Sequence, residues 1–108
     1  MLKYCKVRNV KSIARAHIDD AGIDFYVPED LTVDDMQPKM DTTKNDLAVT
    51  IDAGIITSFT LHPGESVLIP SGIHVKVPTG YALIYFNKSG VASKKHLHVG
   101  ACVVDENY

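Results

Sequence analysis

Ile55-Ile-Thr-Ser-Phe-Thr-Leu61, His62-Pro-Gly-Glu65, Ser66-Val-Leu-Ile-Pro70, Ser71-Gly72, Ile73-His-Val-Lys-Val-Pro78, Thr79-Gly80 and Tyr81-Ala-Leu-Ile-Tyr-Phe86 follow one another without interruption. β-Branched and aromatic segments alternate here with Pro, Gly and Ser turns, roughly every ten residues. No long helical period runs through them. The spacing predicts an all-β sandwich or barrel-like domain. Within it, Ile73, Val75 and Val77 alternate with His74 and Lys76, so the three apolar residues are expected to face inward.

Upstream, Leu2 to Val10 alternates loosely and reads as a first strand, and residues 11 to 19 are polar and read as loop. In Asp20-Ala-Gly-Ile-Asp-Phe-Tyr-Val-Pro28, Phe25 and Val27 alternate with Asp24 and Tyr26, as in a half-buried strand that Pro28 ends. Ala21-Gly22 cover nothing, which predicts close approach of another backbone or a ligand. Glu29 to Asp46 is acidic, with Glu29, Asp30, Asp34, Asp35, Asp41 and Asp46 against Lys39 and Lys44, and reads as a solvent-exposed excursion. Asn45-Asp46 is a turn signal, Leu47 to Ile51 a short strand, and Asp52-Ala53-Gly54 a turn out of it. Asp-Ala-Gly-Ile occurs at both 20 and 52, but so short a match is read as coincidence.

The 108 residues are expected to form one domain, 1–108, with a modest core. A net charge of −2 argues against a general nucleic-acid or membrane-surface binder. No apolar run approaches the ~20 residues that span a membrane. The mixed N-terminus does not read as a signal peptide. Cys5 and Cys102 are the only cysteines, which fits a reducing, cytoplasmic setting better than a disulfide scaffold.

The stretch Asn87 to Tyr108 holds the chemistry. Lys88 supplies a cation, Ser89 a hydroxyl donor, and Gly90 lets backbone N–H groups approach closely, so Lys88-Ser89-Gly90 can hold an anion. Ser89 is a good N-cap, with one helical turn expected over Gly90 to Lys95. An apolar strand follows and ends in Asp105, where a carboxylate needs a partner or a task. His96-Leu97-His98 places two histidines on one strand face, but no third ligand lies nearby, which weighs against zinc.

These residues also carry a resemblance. Ala21-Gly22-Ile23-Asp24-Phe25, then Pro63-Gly64-Glu65, Ile69-Pro70-Ser71-Gly72 and Pro78-Thr79-Gly80-Tyr81, then Lys88-Ser89-Gly90-Val91-Ala92, and finally Gly100-Ala101-Cys102-Val103-Val104-Asp105-Glu106-Asn107-Tyr108 stand in that order. Together they resemble the motifs of the trimeric dUTP diphosphatases (dUTPases), over most of the chain outside Glu29 to Thr57. The resemblance implies a jelly-roll-like, β-clip barrel with an acidic insertion at about 29–57. It also implies a homotrimer whose sites lie between subunits. Lys88 stands where the family usually has arginine, Cys102 where it has glycine, and Asn107 where it has an acid. The family's fourth element and glycine-rich closing arm have no counterpart here, so the expected barrel is incomplete at its C-terminus. The chain by itself is therefore expected to be oligomeric, aggregation-prone or dependent on a second polypeptide that supplies that part.

The same resemblance implies roles, and all but that of Asp24 have a plain alternative. Asp105 would activate the water that attacks the α-phosphorus of dUTP; otherwise it caps a turn at a strand end. Lys88, Ser89 and Gly90 would hold phosphates, or form an ordinary polar turn. Gly100, Ala101, Cys102, Val103 and Val104 would read uracil through backbone groups, or form a buried strand. Tyr108 would pack on the deoxyribose, or be a half-buried strand residue. Asp24 would orient site residues or a water bound to Mg2+, an ion the substrate phosphates would largely hold. Two further functions are open: a dCTP deaminase-type relative of the same fold, and a non-catalytic domain that binds nucleotide or a partner protein.

Overall fold

The computed structural model describes residues 2–38 and 48–107. Tyr108, Asp41, Leu47 and the Asn45-Asp46 turn signal lie outside the described residues. The strands are β1 (Lys3–Lys6), β2 (Gln37–Pro38), β3 (Ala48–Asp52), β4 (Ile55–Thr60), β5 (Val67–Leu68), β6 (Ile73–Lys76), β7 (Leu83–Ile84) and β8 (Val103–Val104). A 3-10 turn at Val33–Asp35 and one helix, α1 (Ser89–Lys95), complete the described elements. The chain is all-β, as the turn spacing predicts. The strands pair as β1 with β6, β2 with β5, β3 with β4 and β7 with β8. The last three pairs are antiparallel. Two compact units emerge: Lys6–His74, and Met1–Cys5 together with Val75–Tyr108.

In the unit Lys6–His74, β3 and β4 form a hairpin. Ala53 and Gly54 both have positive φ, 51° and 81°. Such a two-residue loop matches the twist of the flanking strands. Register runs Ala48↔Thr60, Val49↔Phe59 and Thr50↔Ser58, then shifts to Ile51↔Ile56. Thr57 is the extra residue of the bulge, and its Oγ1 donates to the Thr50 carbonyl at 3.2 Å. The bulge turns Ile56 into the core with Leu31 and Met36, against which Val49, Phe59, Val67 and Ile69 pack. Ile56 N–H donates to the Leu31 carbonyl at 2.8 Å.

Two of these core residues correct the sequence reading. Glu29 to Asp46 was expected to be solvent-exposed, yet Leu31 is only 3% exposed and Met36 only 8%. The reason is Arg8. Its Nε donates to Asp30 Oδ1 at 3.0 Å, and its Nη2 donates to the Asp30 carbonyl at 2.9 Å and to Asp35 Oδ2 at 2.7 Å. Asp35 Oδ2 also accepts from Thr32 N–H at 2.9 Å and Thr32 Oγ1 at 3.0 Å. With Asp30 and Asp35 both bonded to one guanidinium, the loop can turn its apolar residues inward.

The expected strand at Phe25 to Val27 is reduced to a single bridge, Ala14↔Asp24, because the polar residues before it offer no longer ladder. Val27 is exposed. Ala21-Gly22 was expected to meet a close neighbour, but a Cβ on Gly22 would meet nothing within 4 Å. The close approach falls at Gly72 instead. Its φ is +71°, and a Cβ there would meet Val10 Cγ1 at 3.1 Å and Pro28 Cγ at 3.3 Å. The turn at His62–Glu65 forms as read, with Glu65 N–H donating to the His62 carbonyl at 3.0 Å and Gly64 at φ 82°. Ile73 and Val77 are buried and Val75 half-buried, as their alternation predicts.

In the unit containing Val75–Tyr108, β7 pairs with β8 through Leu83↔Val104 and Ile84↔Val103. Both strands are shorter than the apolar runs around them. Runs apolar on successive residues belong to strands covered on both faces. Here Phe86 is 81% exposed and Val103 58% exposed. No helix among the described residues is long and apolar enough to cross a membrane.

Two outcomes follow from this packing. Ile56→Ala should lower unfolding free energy by ~2–4 kcal/mol, as read by urea denaturation, because a buried branched side chain is removed from a small core. The Arg8 hydrogen bond, then the Thr32 N–H, hold the Asp35 carboxyl well below the usual carboxylate range. A depressed folded-state pKa gives stability that is fully present above the unfolded value near 4 and lost as pH falls below it toward the folded value. Thermal midpoints measured from pH 5 downward should therefore drop on the acid side, and Asp35→Asn should flatten that limb.

Candidate functional site

The phosphate-type residues sit where a loop becomes a helix. Lys88 is the N-cap residue of α1 in extended conformation, and its carbonyl accepts from Ala92 N–H at 2.8 Å. Ser89 was expected to be the cap; instead it is the first helical residue, and no side-chain bond caps the helix. No acid lies in the first turn, and Lys94 and Lys95 lie in the last. His96 closes the helix with φ 55°, its N–H donating to the Val91 carbonyl. His96 and His98 therefore belong to a helix end and the loop beyond it, not to a strand face. Among the described residues no group of three or more His, Cys, Asp or Glu side chains is placed to hold a metal ion.

Asn87, which the sequence reading passed over, closes this segment at its base. Its Oδ1 accepts from Val99 N–H at 2.8 Å, and its Nδ2 lies 3.2 Å from His98 Nδ1. The segment from Lys88 through α1 is thus closed at its base by one amide side chain. Only its two-residue position before the helix could have hinted at this, since Asn readily bonds backbone groups.

The strand expected to read a base is β8 with its approach. Gly100 and Ala101 are exposed, Cys102 and Val104 half-buried, and Val103 exposed. Tyr85 N–H donates to the Cys102 carbonyl at 2.8 Å. That bond sets the phase of the ladder. In an antiparallel pair, opposed residues alternate between bonding each other and facing away. With Tyr85 opposite Cys102 in a bonded position, the backbone groups of Val103 point to the far edge of β8. Burial pushes the Tyr85 phenol pKa up.

Beyond β8, Asp105, Glu106 and Asn107 line a cavity of about 530 Å3 with Tyr81. Asp105 is exposed, at the end of a strand in which Val103 is exposed and Val104 half-buried. Glu106 reaches the turn before β7: Gly80 N–H donates to its Oε2 at 2.7 Å. Gly80 has φ 83°, and Tyr81 N–H closes the turn onto the Pro78 carbonyl at 3.0 Å. Asp24 lies in the unit Lys6–His74, half-buried, with its backbone N–H donating to the Ala14 carbonyl at 2.7 Å. Tyr108 lies outside the described residues.

The unit bearing β7 and β8 thus carries an exposed carboxylate at a cavity and, elsewhere along its chain, a lysine at the start of a short helix. No protein-family model and no solved structure gives a significant match. Curated relatives do. The chain is 33% identical over 79 residues to deoxyuridine 5'-triphosphate nucleotidohydrolases of Desulfitobacterium hafniense strains DSM 10664 / DCB-2 and Y51, covering 68% of this chain and 52% of each relative. It is 41% identical over 54 residues to the enzyme of the same name from Desulfotalea psychrophila, covering 50% of this chain and 33% of that protein. The chain spans about half the length of the Desulfitobacterium relatives. These matches support the dUTPase family for this chain.

Asn87→Ala should leave α1 in place but free the Val99 amide. Its hydrogen exchange should then speed up by roughly tenfold or more, while exchange at Tyr85, in the β7–β8 ladder, stays the same.

Proposed function

We propose that the chain belongs to the dUTPases and takes part in hydrolysing dUTP to dUMP and diphosphate. The observation that carries this reading is the similarity to curated dUTP nucleotidohydrolases over 79 residues. The placement of Asp105, exposed at a cavity, supports it. In this reading the Asp105 carboxylate accepts a proton from water as its oxygen attacks the α-phosphorus. The new P–O bond forms as the bond to the bridging oxygen breaks, and diphosphate leaves.

Lys88 and the Ser89 hydroxyl would meet the phosphate oxygens, with Gly90 leaving room for backbone N–H donors. Lysine acts as a point charge where an arginine would grip with two bonds. The outward backbone groups of Val103 are suited to pair with the polar edge of uracil, with Gly100 and Ala101 keeping the approach open. Such fixed donors and acceptors reject a base whose pattern is reversed. Tyr108 is assigned to the sugar, and Asp24 to orienting the site.

The described donors fit magnesium only as an ion carried largely by triphosphate, since they offer scattered carboxylates rather than a cage. When bound, it would neutralise phosphate charge. A homotrimer is part of the same reading. What supports it is the apolar surface of the unit bearing β7 and β8, where Tyr81, Ile84, Phe86 and Val103 stand exposed.

Asp105→Asn tests the assignment. Turnover of dUTP, followed as diphosphate release with magnesium, should be abolished, while dUTP affinity by calorimetry stays within about tenfold, because the amide keeps the shape and cannot act as a base. Loss of binding together with turnover would make Asp105 structural.

A further inference from the structure

Asp105 is held from two sides, and one of the two holds is a side chain with no assigned role. On the strand side, the β7–β8 ladder ends at Leu83↔Val104, the residue just before Asp105. On the other side, the residue just after it, Glu106, accepts Gly80 N–H at 2.7 Å. This is a charge-assisted hydrogen bond to a backbone donor. The donor belongs to a turn that is itself constrained, since Gly80 sits at φ 83° and Tyr81 N–H is bonded to the Pro78 carbonyl. Tyr81, the next residue in that turn, lines the same cavity as Asp105 and Glu106.

The geometry points to Glu106 as a positioning residue for Asp105. This rests on the reading of Asp105 as the water-activating carboxylate. Beyond Val104 the chain leaves the ladder and turns. The Glu106–Gly80 bond is the hydrogen bond that ties this turn back to the turn before β7. Without it, Asp105 would lose a hydrogen-bonded anchor on that side. A base must stay within hydrogen-bond reach of its water, and misplacement by about 1 Å can cost on the order of a hundredfold in rate. Glu106 contributes here through its carboxylate alone. Glutamine keeps the length and an acceptor oxygen, whereas alanine removes the acceptor.

The experiment compares the intact protein with Glu106→Ala and Glu106→Gln, using dUTP and magnesium for kinetics and backbone 15N relaxation for order. For Glu106→Ala we expect kcat to fall by roughly ten- to a hundredfold with KM within about twofold. The Asp105 amide should become more mobile on the fast timescale, and the thermal midpoint should hardly change. Glu106→Gln should recover most of the rate. An unchanged kcat in folded Glu106→Ala overturns the inference. So does a loss of rate matched by a lower thermal midpoint in both variants, the mark of a merely structural tie. If the parent does not hydrolyse dUTP, the functional reading fails. Positioning is then judged on relaxation alone, where unchanged order at Asp105 in Glu106→Ala overturns it.

Discussion

One guanidinium sets the interior of the larger unit. Arg8 binds the Asp30 and Asp35 carboxylates and the Asp30 carbonyl in a loop rich in acids. Asp30 and Asp35 would repel each other and stay in water without it. Bridged by Arg8, they hold the loop in a tight path, and that path places Leu31 and Met36 against Ile56. Asn9 N–H adds a bond to Asp30 Oδ2 at 3.2 Å, and Glu29 N–H donates to the Asn9 carbonyl at 2.8 Å. Gly72 completes the arrangement, because a Cβ there would press on Val10, Pro28 and Arg8 together. A single planar fork with several donors suits this task better than an ammonium.

The unit bearing β7 and β8 is held differently. Its ladder is short and its apolar residues are largely exposed. Order at its functional end comes from side chains that bond backbone groups across long sequence separations. Asn87 ties the base of the Lys88 loop, and Glu106 ties the end of β8. Each replaces a ladder bond that a longer strand would supply. Both ties sit next to residues assigned to chemistry, Lys88 on one side and Asp105 on the other. Places where a few polar bonds hold exposed backbone are also where local opening is easiest, which would suit the proposed site for a charged nucleotide.

The local features were legible in the chain. Turn residues at His62–Glu65, Ser71-Gly72 and Thr79-Gly80 fall where read, because Pro and Gly act on φ and ψ at their own positions. The inward alternation of Ile73 and Val77 is legible for the same reason, since side chains on a strand alternate by geometry alone. The all-β class followed from these, and so did the list of residues from Lys88 to Asp105 that carry the family resemblance. Strand lengths did not follow, because a run such as Tyr81 to Phe86 suits a strand whether or not a neighbour pairs with it.

What only the tertiary structure decided are the pairings between residues distant in sequence. Nothing local to Arg8 says that it will meet Asp30 and Asp35, so the acidic loop read as solvent-exposed although it carries core residues. Nothing local to Glu106 says that it will reach Gly80. The phase of β8, which turns the Val103 backbone outward, depends on a partner strand on the far side of α1. Turn and strand preferences arise from sterics within a few residues and can be read from a sequence. Charge pairing and ladder phase depend on where the chain returns to itself, and only the folded chain sets that.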